Sequence, residues 1–193
     1  MKRFLTLFAS IVFTAVSVSA SEMGDDGLHK TAWMRDTFKD LREDLAEANA
    51  EGKRFMILVE QRGCIYCKKM HEETFPHPVV EQMINENFFV VQLNLHGDIE
   101  ITDFDGEVLS EKAAARKWGL LFTPTMFFLP EEVAEDMTAV QAAVAMMPGA
   151  FGPGTTQDML TWVIEKRYEL EGDEDFQRYH ARRIQERNNG KTD

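Results

Sequence analysis

The chain has 193 residues, and its 33 acidic side chains outnumber its 21 basic ones to give a formal net charge of −12 at pH 7. This negative surplus disfavours nucleic acid and anionic membrane surfaces as partners, because both repel an acidic protein. It leaves the choice among protein partners open.

The first 20 residues have the features of a secretory signal. Lys2 and Arg3 precede an apolar run from Phe4 to Val18, and the run ends in the small-residue sequence Val18-Ser19-Ala20. An uncleaved membrane anchor is the alternative, but the run is shorter than the roughly 20 apolar residues that a bilayer span needs. We therefore expect residues 1–20 to be removed during export to the periplasm, with no stable insertion of the mature protein in the membrane.

The remaining 173 residues are enough for one domain to bury its core without help from disulfides or metals. Their net charge is −14, because the signal removes two positive charges and no negative ones. We expect a flexible leader at residues 21–30, a single domain at residues 31–187 and a disordered tail at residues 188–193.

Apolar periodicity predicts the first elements of this domain. An amphipathic helix is expected within residues 31–50, ending at Gly52, because apolar side chains recur there at alternating steps of four and three. These side chains are Met34, Phe38, Leu41, Leu45 and Ala48. The continuous apolar run from Phe55 to Val59 is typical of a buried parallel strand, after which Gly63 turns the chain directly into Cys64.

Further helices and strands alternate after Cys64. Residues 64–71 are predicted to begin a helix that breaks at residues 75–78, and a second amphipathic stretch leads to a strand at residues 88–95. Asp105-Gly106 favours a hairpin with a type I′ turn. The later elements are a helix from Ser110 to Trp118 with Gly119 after its end, a strand from Thr125 to Leu129, a strand from Ala142 to Met147, a helix capped by Thr155 or Thr156, and a weaker helix from Asp173 to Arg187. This alternation indicates an α/β sandwich.

Cys64 and Cys67 are the two cysteines of the chain. In a compartment where disulfides persist, such a pair is either a structural bridge or a redox centre. A structural bridge is disfavoured, because closing a four-residue loop stabilises a fold by roughly 2 kcal/mol, against about 3 kcal/mol for a 15-residue loop. The spacing therefore indicates a pair that passes between dithiol and disulfide.

The position of the pair at a helix start predicts a role for each cysteine. The thiolate is the attacking species, and the unpaired N–H groups and positive dipole end of a helix N-terminus favour negative charge on Cys64. Cys67 lies one turn further in and is more shielded. We therefore expect Cys64 to attack a partner disulfide and Cys67 to resolve the mixed disulfide. Lys68 and Lys69 add positive charge, although exposed helix lysines are more often only solubilising.

Two segments resemble the thioredoxin family. Residues 63–71 are similar to the active-site segment of periplasmic thioredoxin-like proteins, and Phe122-Thr123-Pro124-Thr125 resembles the family's cis-proline segment. The resemblance implies a thioredoxin fold, with a central mixed β-sheet flanked by helices, an N-terminal helix, a hairpin insertion and a C-terminal helical extension. It also implies a cis Pro124 against the cysteines, where the residues alone favour a trans proline. Pro124 and the Thr123 backbone would present the substrate, which would also contact the two residues between the cysteines, Ile65 and Tyr66, and these two residues also tune the pair.

Further segments between residues 31 and 183 resemble the thioredoxin-like proteins of bacterial sulfur-oxidation (Sox) systems, the SoxW type. They are residues 93–95, 102–107, 110–119, 147–149 and 176–179. This resemblance implies a reductant of disulfides or cysteine adducts on sulfur-oxidation or related exported proteins, resupplied by a membrane thiol electron carrier. No organic cofactor is expected, because the sequence has no phosphate-binding glycine loop.

One position departs from the thioredoxin pattern. Thioredoxins commonly carry a buried aspartate six residues before the first cysteine, and this chain has Leu58 there. Glu60 is the only nearby carboxylate on the strand. We hypothesise that Glu60 is a proton relay or tunes the cysteine pair, and the alternative is an exposed glutamate at the end of the strand.

Three other functions are compatible with the same residues. A metal-binding module would combine Cys64 and Cys67 with His71, on the same helix face, and with distant His96. It is disfavoured because the second Cys-x-x-C of common zinc sites is missing, so His71 is expected on the surface or in packing. An oxidant that introduces disulfides would use the same two cysteines in the opposite direction. An inert binding scaffold is disfavoured because both cysteines are present.

Overall fold

The computed structural model describes residues 21–170, 172 and 174–190. The predicted signal sequence and the last three residues of the predicted tail lie outside this part of the chain. The strands are β1 (Glu22–Met23), β2 (His29–Lys30), β3 (Met34–Arg35), β4 (Arg54–Glu60), β5 (Phe88–Asn94), β6 (Glu100–Thr102), β7 (Val108–Ser110), β8 (Thr125–Phe128) and β9 (Ala145–Pro148). The helices are α1 (Leu41–Ala50), α2 (Ile65–Lys69), α3 (Pro78–Asn87), α4 (Glu111–Lys117), α5 (Ala139–Ala142), α6 (Pro153–Ile164) and α7 (Phe176–Asn188), with a π-helical segment at Met70–Thr74 and a 3₁₀ turn at Arg167–Glu169.

Five strands form the central sheet, in the order β3-β5-β4-β8-β9. The middle strand, β4, is parallel to β5 on one side and antiparallel to β8 on the other. At the edges, β3 is parallel to β5, and β9 is antiparallel to β8. The predicted mixed sheet is therefore confirmed, and its central strand leads directly into the cysteine pair.

Helices cover both faces of the sheet. Met56 and Leu58 of β4 pack on one face with residues of α3 and α6. Phe55, Ile57 and Val59 pack on the other face with residues of α1 and α4. Burial on both sides explains why β4 is a continuous apolar run rather than an alternating one.

The N-terminal helix is shorter than the periodicity predicts. It begins at Leu41, because the Asp40 side chain accepts hydrogen bonds from two backbone N–H groups of the first turn. Lys39 has a left-handed backbone, with φ of 59°, which interrupts any helix before it. Met34 lies in β3 instead, and Phe38 is 97% exposed. The prediction of a helix over residues 31–40 was therefore wrong.

The hairpin insertion is confirmed, but its turn differs from the predicted one. β6 and β7 pair with Thr102 opposite Val108, so that the turn spans residues 103–107. Gly106 has a positive φ of 82° and Asp105 does not, whereas a type I′ turn needs positive φ at both central residues. Ser110 caps α4 as predicted.

Two boundaries in the C-terminal half also differ. Helix α6 begins at Pro153, because the fixed φ of proline suits the first turn of a helix, and neither Thr155 nor Thr156 caps it. The strand predicted from Ala142 to Met147 starts later than expected, because Ala142 is the last residue of α5 and β9 begins at Ala145.

Residues 21–30, expected to form a flexible leader, contain an antiparallel hairpin of β1 and β2. Leu28 is buried. The side chain of Gln92 in β5 donates a hydrogen bond to the His29 carbonyl and accepts one from Lys30. The hairpin therefore packs against the domain near the end of β5.

A buried carboxylate attaches the C-terminal helix α7 to α6. Asp158 of α6 is fully buried and accepts two hydrogen bonds from Arg187, at 2.7 and 2.9 Å. Nδ1 of His180 also contacts this carboxylate, at 2.6 Å, and the guanidinium of Arg183 pairs with it at 3.6 Å. Tyr179 of α7 is buried in the same core cluster as Met159 of α6. The predicted C-terminal helical extension is thus part of the packed domain.

Gly97 is a position where a side chain would not fit. A Cβ atom there would overlap the carboxylate of Glu111 and lie 2.9 Å from the Cβ atom of Asn94. Glu111 is buried and accepts hydrogen bonds from Lys39 and from the Asn94 backbone, so it has little freedom to move. We expect Gly97→Ala to lower the free energy of unfolding by about 1–3 kcal/mol, measured by urea denaturation.

Gly154→Ala is the matched control, because a Cβ atom there meets nothing within 4 Å. This variant should equal the wild type or exceed it slightly in stability, since alanine favours a helix more than glycine does. A Gly97→Ala protein as stable as the wild type would contradict the close approach of Gly97 to Glu111.

Candidate active site

The end of β4 places the first cysteine at the start of a helix. Gly63, with φ of 71°, makes the left-handed turn between β4 and α2. Cys64 is the N-cap of α2, and its Sγ accepts a hydrogen bond from the backbone N–H of Cys67 at 3.0 Å. The predicted position of Cys64 at a helix N-terminus is confirmed. A backbone N–H of the first turn therefore points at the sulfur, where it stabilises negative charge.

Cys64 and Cys67 are joined in a disulfide, and the two sulfur-bearing side chains differ in access. Cys64 is 9% exposed and lines an open cleft. Cys67 is 1% exposed. A cysteine that lines an open cleft beside a fully buried one is the arrangement that an attacking cysteine and a resolving cysteine require.

The Thr123-Pro124 segment lies directly against Cys64. The peptide bond between Thr123 and Pro124 is cis, as the family resemblance implied. The Thr123 hydroxyl lies 3.3 Å and its carbonyl oxygen 3.5 Å from Cys64 Sγ. The Pro124 carbonyl accepts a hydrogen bond from the Gly149 backbone at 2.7 Å, which ties this segment to the end of β9. The structure thus brings the predicted proline segment and the cysteine pair together.

Exposed apolar side chains surround the cleft beside Cys64, which has a volume of about 420 Å³. Ile65 and Tyr66, expected to contact substrate, are 72% and 57% exposed. Leu121 and Phe122, to which the sequence alone assigned no contact role, also line the cleft and are 81% and 62% exposed. The sequence signal for these two is weak, because it consists only of their place beside Thr123-Pro124.

Glu60 is fully buried at the end of β4, so the alternative of an exposed glutamate is wrong. Its carboxylate accepts a hydrogen bond from the side-chain amide of Gln92 at 2.6 Å and contacts the ring of His71. The sequence alone assigned no role to Gln92 either. A polar residue inside the apolar strand β5 could nevertheless have indicated a buried polar contact at this position.

His71 is buried beside Glu60, with Nε2 at 3.1 and 3.2 Å from the two carboxylate oxygens. Its other ring nitrogen, Nδ1, is buried without a hydrogen-bond partner. The ring of His29 stacks on the ring of His71, with ring centroids 4.7 Å apart. His96, the second histidine of the metal hypothesis, contacts Gln61 instead. Within residues 21–170, 172 and 174–190, no three His, Cys, Asp or Glu side chains are grouped to hold a metal ion.

Lys68 and Lys69 lie on the outer face of the cysteine helix. Both side chains are 60% exposed, and they pair with Glu72 at 3.5 Å and Glu73 at 3.8 Å. Because these carboxylates offset the positive charges, the arrangement favours a solubilising role for the two lysines.

Residues 41–147 match the thioredoxin-like domain family, which is more than half of the chain. Among solved structures, the chain is similar to a thioredoxin-fold protein from Helicobacter pylori, with 17% identity, a TM-score of 0.50, and 72% of this chain and 86% of that chain covered. It is also similar to a thioredoxin from Thermus thermophilus, with 21% identity, a TM-score of 0.51, and 66% and 85% covered. No match was found among curated protein sequences.

The low identities to solved structures show a shared fold, and the family match covers the site itself. It spans Cys64, Cys67 and Pro124 together with all of β4, β5 and β8. The chain therefore belongs to the thioredoxin-like domain family and is a thiol–disulfide oxidoreductase.

Proposed function

We propose that this protein reduces disulfides or cysteine adducts on exported proteins of the periplasm, including those of sulfur oxidation. The observation that carries the redox chemistry is a cleft-lining Cys64 paired with a buried Cys67 against Thr123-Pro124. The reductive direction and the partner class are supported by the sequence resemblance to Sox-associated proteins. The compartment is supported by the signal-like residues 1–20.

The reductive cycle has two exchange steps. The Cys64 thiolate attacks a partner disulfide, a mixed disulfide forms, and one partner sulfur leaves and takes up a proton. Cys67 then loses its proton and attacks the Cys64 sulfur, which closes the disulfide and releases the second partner sulfur. The partner gains two electrons and the protein loses two.

A membrane thiol electron carrier would return these electrons to the cysteine pair. Such a carrier is part of the proposal because the exported protein needs a source of reducing equivalents for each cycle. Within the described part of the chain, no helix is both long and apolar enough to cross a bilayer.

The apolar rim of the cleft is the proposed contact surface for the partner protein. Leu121 and Phe122, together with Ile65 and Tyr66, expose apolar surface around the reactive sulfur. Grouped apolar side chains of this kind are typical of protein-binding sites. The Thr123 backbone would hydrogen-bond an extended segment of the partner next to its cysteine.

Trapping in cells tests the partner class. The full chain with Cys67→Ser should accumulate mixed disulfides at Cys64, because the resolving sulfur is missing. We expect mass spectrometry of the trapped species to identify exported proteins with reducible cysteines. The control is the double variant Cys64→Ser/Cys67→Ser, which should trap none. A mature N-terminus at Ser21 would support export with removal of the signal, and retention of residues 1–20 would contradict that removal.

The redox potential tests the direction. The wild-type potential should lie closer to the about −270 mV of thioredoxin than to the about −120 mV of a strong disulfide-introducing oxidant. Equilibration of the cysteine pair with glutathione or dithiothreitol buffers measures this value. A potential near the oxidant's would reverse the proposed direction while leaving the chemistry intact.

A further inference from the structure

A buried polar network lies at the end of β4, beside the segment that carries the cysteines. The Glu60 carboxylate is held by Gln92 on one side and by His71 on the other. Burying a carboxylate is unfavourable unless hydrogen bonds replace its water, and here they do. Apolar side chains of similar volume would fill the same space without the need for these hydrogen bonds. A role for His71 in the cysteine chemistry would explain why the network is present.

The hydrogen bonds of Glu60 determine which nitrogen of His71 is available. An ionised carboxylate only accepts hydrogen bonds, so the ring proton of a neutral His71 is assigned to Nε2, which faces both oxygens. Nδ1 is then a bare acceptor, and it is buried without a partner. A histidine held by a carboxylate at one nitrogen and free at the other is the arrangement by which histidine acts as a base.

Cys67 is the thiol placed to use this base. It lies four residues before His71, and the Met70 backbone still bonds to the Cys67 carbonyl, so the helix is continuous between them. Residues four apart share a helix face, with Cβ atoms about 5–6 Å apart. Both side chains are buried, at 1% and 2% exposure. Use of this base requires that, once the disulfide opens, rotation of the Cys67 side chain brings its sulfur within hydrogen-bond distance of the His71 ring.

We propose that His71, oriented by Glu60, is the base that takes the proton from Cys67 when the mixed disulfide is resolved. The inference rests on the proposed function, because it needs the dithiol–disulfide cycle, although it holds for either direction. The Cys67 proton moves to Nδ1, the Cys67 sulfur bonds to the Cys64 sulfur, and the partner sulfur leaves with the electron pair of the broken bond. His71 then passes the proton to that departing thiolate or to water.

His29 covers this base with its own ring. Burial lowers the pKa of His29, the neighbouring His71 adds to that effect, and Glu60 opposes it. A neutral His29 does not repel a positive charge on the stacked ring, so His71 can take the proton. The hairpin of β1 and β2 that carries His29 also limits the access of water to Glu60 and His71.

Charged groups face the stacked histidines from three elements. Glu60 lies on β4 and is buried. Lys30 lies on β2 and is bonded to the amide oxygen of Gln92. Lys68 and Glu72 pair with each other on the exposed side of the cysteine helix. Solvent screens the exposed pair, whereas the Glu60 carboxylate contacts the His71 ring directly.

A two-step reaction with an aromatic disulfide, bis-thionitrobenzoate, tests the proposal. The reduced protein should release one coloured thionitrobenzoate when Cys64 attacks and a second when Cys67 resolves the adduct. His71→Phe keeps the ring stacking and removes the base, so it should slow the second release by about 100-fold at pH 7 and change its pH dependence. The first release should stay within about twofold, since the base is not used in that step.

Glu60→Gln provides a second variant should His71→Phe fail to fold. A glutamine amide can donate to Nε2 of His71, which moves the ring proton to Nδ1 and removes the free acceptor. The second release should therefore slow here too. The matched control is His77→Phe, because His77 is an exposed histidine whose side chain makes no capping hydrogen bond to α3.

The outcomes separate this inference from the proposed function. A second release with unchanged rate and pH profile in both variants would overturn the role of His71 alone. A wild-type protein that releases no second thionitrobenzoate would overturn the dithiol–disulfide cycle and the inference with it. A slowed second release with an unchanged first release, absent from His77→Phe, supports the proposal.

Discussion

Cys64→Ser is expected to reduce the rate of disulfide reduction to the rate measured without protein. No sulfur would remain in the cleft, and Cys67, at 1% exposure, cannot reach a partner protein. Cys67→Ser is expected to keep the attack and to stop after one mixed disulfide per chain, because the resolving sulfur is missing. Reductant consumption with a small disulfide substrate measures the rate, and intact-mass analysis measures the adduct.

The two single variants are therefore expected to differ in whether the mixed-disulfide adduct forms at all, and not only in their rates. The adduct should appear in Cys67→Ser and be absent from Cys64→Ser and from the double variant. Equal adduct yields in the two single variants would contradict the assignment of roles, since both sulfurs would then be accessible to substrate.

Asp158→Ala is expected to have the largest effect on stability. The substitution leaves the guanidinium of Arg187 and the ring of His180 without the carboxylate that holds them. We expect the free energy of unfolding to fall by about 3 kcal/mol and the melting temperature by roughly 6–12 °C. Helix α7 should also become sensitive to limited proteolysis, because this carboxylate joins it to α6. Calorimetry and timed protease digestion provide the two measurements.

The contribution of Asp158 should also depend on pH. Burial alone would raise the pKa of Asp158, but hydrogen bonds from Arg187 and His180 lower it below the ordinary value. A depressed carboxyl pKa stabilises the fold above the unfolded pKa of about 3.9, and the contribution is lost as pH falls through the folded value. The stability difference between wild type and Asp158→Ala should therefore be full at pH 5–7 and shrink below pH 4.

Asp44 should act in a separate pH range. Burial raises the pKa of Asp44 to about 6, against a hydrogen bond from Thr37 that lowers it. The folded state then binds the proton more tightly, so this group destabilises the fold as pH rises through 6.

Asp136→Ala is the control for Asp158→Ala, because Asp136 is exposed. A change within about 0.5 kcal/mol is expected there. A control as unstable as Asp158→Ala would contradict the specific role of Asp158.

The redox pair could be found from sequence because its requirements are local. Gly63, Cys64 and Cys67 are near neighbours, and a turn followed by a helix start is encoded within a few residues. The apolar run of β4 likewise predicted a buried strand, since burial on both faces needs an apolar residue at every position. Pro124 is distant from the pair, and its placement came from family resemblance rather than from spacing.

Helix boundaries were less predictable where a cap or a distant pairing competes with periodicity. Met34 and Phe38 continue the helical spacing of α1, yet Asp40 caps the helix after them and Met34 pairs with Val90 of β5. A local pattern carries no record of that pairing, because the partner strand lies more than 50 residues away.

By itself, the sequence determined the α/β order, the cysteine pair at a helix start and the negative charge of the chain. Only the tertiary structure decided that Glu60 is buried, that His71 bonds to it, and that the His29 ring stacks on His71. The physical reason is that these contacts join a strand end, a helix interior and an N-terminal hairpin, which packing brings together and residue spacing does not specify.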